Sequence, residues 1–436
     1  MLVKLKKFLF ENSSIFQTVA KNTFWLFLGQ IISRLLRAVV VVYGARKLGA
    51  SSWGAFSYAL GIATFLTSFS DIGINALITK EAAREPQSKD RYLATAFLIK
   101  LAFLIIIAAL APLIFLYFTK IEEAAAIMPI LIFVFAFDTL RDLGSALSRA
   151  LEKMQIEAFI QIFTNFLIAA LGTVFLYFYG TAKALSFAYA LGSGLGMAAI
   201  FFALKSHFKN MWKSFRFALV KPILMTAWPF GLLGLMGVIM LNTDIIMLGW
   251  LRTAEEVGYY AAAQKIIQLL YILPAIIAIS IFPIMSRLII ANPLSVKRIL
   301  EKAVSVSILI AAPIAAFGIL FGDLIINLFF GPEYAQSILP FRILVATVLI
   351  VYPSSLIGHA IFVYDQQKSF AGFVAVAVSS NILLNLLLIP PFGINGAAAA
   401  TILTQLMTNS LIWRKMKSVN QMEIWPWIKN FLRLRF

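Results

Sequence analysis

The chain has no cysteine, and charged residues make up only 13% of its 436 positions. Without thiols there are no disulfides and no Cys-ligated metal centres, and the redox compartment stays open because a thiol-free chain suits either state. So few charges, beside 61% hydrophobic residues, leave too little polar surface to cover a water-soluble fold of this length. The solvent of this chain is therefore mostly lipid. A signal peptide is also missing. The charged start MLVKLKKFLF is followed by the polar stretch 11–21, and no small-residue cleavage site follows an apolar core, which predicts a retained first span. Extramembrane domains are absent too, the longest link being the basic stretch Lys205–Lys221. Acidic residues are scarce, 19 against 37 Lys and Arg, but the resulting +18 charge is dispersed among short links and forms no separate basic domain, so a nucleic-acid partner is not expected.

What is present is a series of apolar runs bounded by Gly, Pro and charge clusters. A bilayer crossing needs roughly 20 apolar residues, and the runs place spans near 22–43, 53–79, 91–118, 124–149, 155–179, 182–204, 222–250, 255–289, 297–321, 335–362, 369–390 and 394–413. The expected fold class is all-α: a polytopic membrane protein of about twelve transmembrane helices. Odd-numbered links carry five Lys/Arg (Arg46, Lys47, Lys120, Lys183 and Arg252), whereas the N-terminus, the other links and the C-terminus carry 26. By the positive-inside rule both termini lie in the cytoplasm and the chain resides in the cell membrane. The central link and the ending EIWPWIKNFLRLRF mix Trp/Phe with Lys/Arg, as interfacial helices do. Topological anchoring accounts for both, with lipid-headgroup contact as the functional alternative.

An internal repeat relates the halves. LGASSWGAFSYA, from Leu48, matches RTAEEVGYYAAA, from Arg252; GTAKALSFAYA, from Gly180, matches GINGAAAATIL, from Gly393. Halves six spans apart share one orientation, which predicts two pseudo-symmetric six-helix lobes about an axis along the membrane normal. The expected organisation is an N-lobe at 1–204 with a basic N-terminal segment, a basic cytoplasmic link at 205–221, a C-lobe at 222–416 and an interfacial tail at 417–436.

A charge at mid-bilayer costs roughly 2.5–3.5 kcal/mol on insertion scales, so intramembrane charges face protein or a wet cavity. Gln30, Arg34 and Arg37 share one face of the first span at i, i+4, i+7. Two cations there attract an anion, unless Asp71 or Asp138 neutralises them. Gln264, Lys265, Gln268 and Tyr271 form a second stripe on the eighth span, with Lys265 roughly 16 Å deep; it binds an anion or pairs with Asp244. On the fourth span Asp138, Arg141 and Asp142 can pair internally. Asp71, between Thr67 and Asn75, and Asp244, beside Asn242, are either proton or Na⁺ coupling groups or counter-ions to these cations. Arg342 and the lone His359 are weaker candidates. Asn381/Asn385 and Gln405/Asn409 form uncharged stripes that glue helices or line a cavity. No cofactor or metal site is expected.

The segment NTDIIMLGWLRTAEEVGYYAAAQKIIQLLYILP, with KNTFWLFLGQIISRLLRAVVVVYGARKLGASSWGAFSYA and SDIGINALITKEAAR near the N-terminus, resembles the polysaccharide-transporter branch of the MOP (multidrug/oligosaccharidyl-lipid/polysaccharide) superfamily, the Wzx-type flippases. The resemblance covers Lys21–Met416. It implies a MATE-like pair of six-helix bundles that moves a polyprenyl-pyrophosphate-linked oligosaccharide to the outer leaflet. On that reading Arg34, Arg37 and Lys265 hold phosphates, Gln30, Gln264 and Gln268 contact sugars, and the partners are the lipid-linked oligosaccharide, membrane lipids and a coupling H⁺ or Na⁺. The protein acts as a monomer and is not an enzyme, since the short outer links offer no catalytic acids. The alternatives are a multidrug exporter of the same superfamily, which favours an acidic cavity, and a non-transporting membrane scaffold.

Overall fold

A computed structural model describes residues 15–85, 87–209 and 211–432. Residues 1–14 of the basic N-terminal segment and 433–436 of the tail lie outside the described residues. The described elements are helical throughout: α1 (Ile15–Ser68), α2 (Ile74–Arg84), α3 (Lys89–Phe118), α4 (Glu122–Ala150), α5 (Met154–Tyr179), α6 (Ala182–Ala203), α7 (Val220–Leu251), α8 (Ala254–Leu270), α9 (Ile272–Ala291), α10 (Pro293–Leu320), α11 (Gly322–Phe329), α12 (Ile338–Ala346), α13 (Val348–Val363), α14 (Gln367–Asn420) and α15 (Trp425–Leu432). Short helical turns connect α6 to α7.

Among the described residues ten helical segments are long and apolar enough to cross a membrane, which makes this a multi-pass membrane protein. Two of the ten, Ala20–Ser68 and Gln367–Asn420, run to 49 and 54 residues, about twice one crossing. Each breaks at a glycine outside the helical region: Gly49 at φ 72 and Gly393 at φ 56. The chain folds back sharply at both. The Trp53 ring comes within 3.4 Å of where a Gly44 Cβ would stand, and a Cβ on Gly396 would collide with the Leu388 carbonyl. Gly180 and Gly393, paired by the sequence repeat, both have positive φ, 59 and 56, but differ in ψ, 29 and −134.

The contacts divide the chain into two compact units, through Val238 and from Ile239. This division falls inside α7, one half-helix beyond the basic link. The reason is packing: Ile223 and Ala227 of α7 join the core of the first unit, with Ile74 and Leu77 of α2, Leu93 and Ala96 of α3, and Leu143 and Leu147 of α4. Small residues let these helices approach, as is usual where lipid supplies no hydrophobic drive. Gly29 lies against Ala158, Gly144 against Ile200, and Gly192 against Ile168.

Between α1 and α2 the helix is interrupted at residues 69–73, with Ile72 at φ 35 and Gly73 at φ 79. This break rests directly on α7, since a Cβ on Gly73 would strike the Ala227 carbonyl, and one on Gly231 would strike the Ile72 backbone.

In the second unit, Ala278 and Met285 of α9, Leu300 and Val304 of α10, Leu356 and Ile357 of α13, and Ile412 and Met416 of α14 form the core. Two of its helix starts are capped by side chains: Thr253 and Glu256 make a reciprocal capping box on α8, and Asn292 accepts the Ser295 N–H at the start of α10. Glu301 of α10, 5% exposed, accepts the Glu423 N–H at 2.7 Å and the Trp427 indole N–H at 3.2 Å, fixing α15 to α10.

Candidate functional site

The first unit contains a cavity of about 490 Å³ walled by α1, α4, α5, the break at 69–73 and α7. Arg34 and Arg37 project into it from α1. The i, i+3 spacing that puts them on one helix face is realised, and Gln30, one turn earlier, is exposed and does not line the cavity. The cavity also presents three carboxylates, Asp71, Asp138 and Asp142.

Those carboxylates are already engaged. Lys100 on α3, with no exposed side-chain surface, reaches Asp71 at 2.7 Å and donates to Asn75 Oδ1 at 2.8 Å. Arg141 bridges Asp138 at 2.6 Å and Asp142 at 3.1 Å, as the i, i+3, i+4 spacing predicts. Neither Asp71 nor Asp138 neutralises the arginine pair. Arg37 Nε donates to the amide oxygen of Asn165 at 3.0 Å, and Asn165 is held in turn by its own bond to the Gln161 carbonyl. Arg34 has no carboxylate within ion-pair distance among the described residues. The cavity thus holds two guanidinium groups outside its ion pairs, and with Lys100 the four cations around it exceed the three carboxylates by one; neutral acceptors and hydroxyls such as Thr67 and Ser68 stand beside them. This arrangement suits an anion of phosphate type, because a guanidinium fork matches phosphate oxygens.

Sequence reasoning missed Lys100 and Asn165. Lys100 is the lone charge in the apolar run at 96–118, and a lone intramembrane cation has to find a carboxylate. Asn165 gave no signal beyond being a polar residue within a span.

The second unit holds a different polar centre. Asp244 on α7, 3% exposed, accepts four hydrogen bonds. Tyr260 OH (2.5 Å) and Thr401 Oγ1 (2.6 Å) donate to one carboxylate oxygen; Asn385 Nδ2 (2.8 Å) and Asn381 Nδ2 (3.3 Å) donate to the other. No ion pair involves Asp244 among the described residues. Lys265, considered as its partner, instead donates to Gln268 Oε1 at 3.4 Å. Gln264 donates to the Leu241 carbonyl at 3.4 Å, and its own side-chain oxygen is buried without a partner. Beside Asp244, Asn385 Oδ1 is likewise buried and unpaired. These four donors occupy the acceptor positions of the Asp244 carboxylate, and Asn385 Oδ1 is the one acceptor beside it left over. The Asn381/Asn385 stripe therefore serves this centre, while Asn409 bonds Gln405 on its own helix.

Fold and polar interior together define a polytopic α-helical membrane protein with charged groups inside its bundles. Residues 19–289 match the model of the polysaccharide biosynthesis protein family, and the chain belongs to that family. It is 24% identical to the probable low-salt glycan biosynthesis flippase Agl15 of Haloferax volcanii, covering 88% of this chain and 81% of that one. It is 31% identical to the probable flippase AglR of the same organism over 41% of this chain, a match that spans only 38% of AglR. Among solved structures, the lipid II flippase MurJ in an inward closed conformation superposes with a TM-score of 0.71 at 19% identity, covering 94% of this chain and 90% of that one. The chain thus has the fold of MurJ.

Proposed function

We propose that this protein is a flippase that carries a polyprenyl-pyrophosphate-linked oligosaccharide across the cytoplasmic membrane by alternating access, and that the arginine pair of the first-unit cavity holds the phosphates. One observation carries the reading: Asp71 and Asp138 are bound by Lys100 and Arg141, so Arg34 and Arg37 face the cavity without a carboxylate. Lys265, with Gln264 and Gln268, forms a separate polar stripe on α8 that we assign to substrate contact, and the prenyl tail stays in lipid. The glycan biosynthesis flippase among the relatives supports the substrate class. A multidrug cation exporter would want an acidic cavity, and here Lys100 and Arg141 hold the three carboxylates while Arg34 and Arg37 tip the balance to net positive.

Asp244 is the coupling group, taking up a proton or Na⁺ in its ring of Tyr260, Thr401, Asn381 and Asn385. The chain crosses the membrane twelve times, with both termini cytoplasmic and lobes at 1–204 and 222–416 joined by the link 205–221, and works as a monomer without cofactor or nucleic acid. The test is flipping of a defined polyprenyl-pyrophosphoryl sugar in proteoliposomes, with and without ion gradients. Arg34→Gln, Arg37→Gln and Lys265→Gln should each abolish flipping while leaving the protein folded and inserted, and normal transport by all three would sink the site. Asp244→Asn should remove the dependence on an ion gradient.

A further inference from the structure

The second unit carries another cavity, whose lining includes neither Asp244 nor its four donors. A groove of about 770 Å³ runs along α13 and α14 and is closed at one end by the tail residues 422–426. Its volume lies in the range of ligand pockets, about 300–1,000 Å³. Its lining changes character along its length. Leu349, Ile350 and Leu406 wall the inner end, and Leu349 and Leu406 remain 42% and 46% exposed. Arg414 and Lys417, i and i+3 on α14, stand at the mouth. Leu406 and Arg414 are separated by about 12 Å along the helix.

The mouth is preformed. Trp413 donates its indole N–H to Ser354 Oγ at 3.2 Å, tying α14 to α13, and the Glu423 N–H bond to Glu301 fixes the tail. Arg414 and Lys417 are exposed and have no carboxylate within ion-pair distance among the described residues. Glu423, also at the mouth, offsets one of the two charges and leaves it net positive.

An apolar trough that ends in two clustered cations at the basic end of a membrane helix complements one kind of molecule, an amphiphile with an anionic head. We propose that this groove binds a single anionic phospholipid of the adjoining leaflet, its phosphate between Arg414 and Lys417 and an acyl chain along Leu349, Ile350 and Leu406. A lipid seated there joins α13, α14 and the tail. The proposal does not depend on the transport reading.

The test is native mass spectrometry on the purified, delipidated full-length protein, offered an equimolar mixture of phosphatidylglycerol and phosphatidylcholine. The wild type should retain one phosphatidylglycerol. The Arg414→Gln/Lys417→Gln double variant should bind it roughly thirtyfold more weakly, the effect of two basic residues near a headgroup. Arg414→Lys/Lys417→Arg should restore binding, and Lys209→Gln/Lys213→Gln in the central link should leave it unchanged. Equal retention of both lipids by the wild type, or undiminished phosphatidylglycerol binding by the neutralised variant, overturns the proposal. So does mole-for-mole displacement by a polyprenyl pyrophosphate at equal concentration, which would make the groove a substrate station.

Discussion

Lys100 and Asp71 are bound to each other but are not equivalent. Lys100 has no exposed side-chain surface, whereas the Asp71 side chain is 35% exposed at the cavity. Removing one partner of a buried pair costs about 3–5 kcal/mol when the survivor is left charged and dry. Asp71→Asn strands Lys100 in this way and should lower stability by about that amount. Lys100→Met leaves Asp71 facing a cavity that water can enter, so it should cost clearly less. Melting of the purified variants in detergent checks the order, and a larger loss for Lys100→Met would show that Asp71 is the drier partner. The Lys100→Met/Asp71→Asn double variant should recover much of the Asp71→Asn loss, because no buried charge remains. The spacing of Arg34 and Arg37 made their shared face legible in the sequence. The question of what neutralises them was not, because Lys100 meets Asp71 only through the packing of α3 against the break. Asp244 was legible as an intramembrane acid, but its donors Asn381 and Thr401 stand 137 and 157 positions away, and only the fold brings them together.

At the scale of helices, apolar composition and charge clusters made the spans readable, and the glycine at each turn was readable as punctuation. The break at 69–73 was not, because nothing in SFSDIGIN distinguishes a helix that continues from one that stops and restarts. It stays where it is because Gly73 and Gly231 let the backbone of α7 touch it. Gly231→Ala drives a methyl group into the Ile72 backbone, and overpacking of this kind typically costs about 1–3 kcal/mol. Gly234→Ala, one turn along the same helix, meets nothing within 4 Å and should cost less than about 0.5 kcal/mol. Equal melting temperatures for the two variants would mean that α7 does not clamp the break. The tail behaves as an element in the same sense. Glu301 holds α15 through two acceptor oxygens. Glu301→Leu should free it, seen as faster tryptic cleavage after Lys429 with the remaining helices protected.

For the whole molecule the open quantity is the number of crossings, and the structure narrows it to a choice. Ten apolar helical segments span the described residues, and two of them are long enough to cross twice. If α1 turns back at Gly49 within the bilayer frame, Ser51 sits at one membrane surface and Gln87 at the other. If α1 crosses only once, Ser51 lies within the bilayer and Gln87 appears on the surface opposite to the N-terminus. The termini would reveal eleven crossings but do not separate ten from twelve, because both of these return the chain to its starting side. The absence of native cysteine makes the experiment clean. Ser51→Cys and Gln87→Cys, both exposed positions, can each be the sole thiol. With a membrane-impermeant maleimide applied to intact cells, Ser51→Cys should label at once and Gln87→Cys only after permeabilisation. The basic residues agree with this outcome, since the link around Gln87 carries Arg84, Lys89 and Arg91 and such clusters are retained on the cytoplasmic side. Labelling of Gln87→Cys in intact cells, with Ser51→Cys inert, would instead require α1 to cross once and would remove the parallel orientation of the two halves on which the repeat depends.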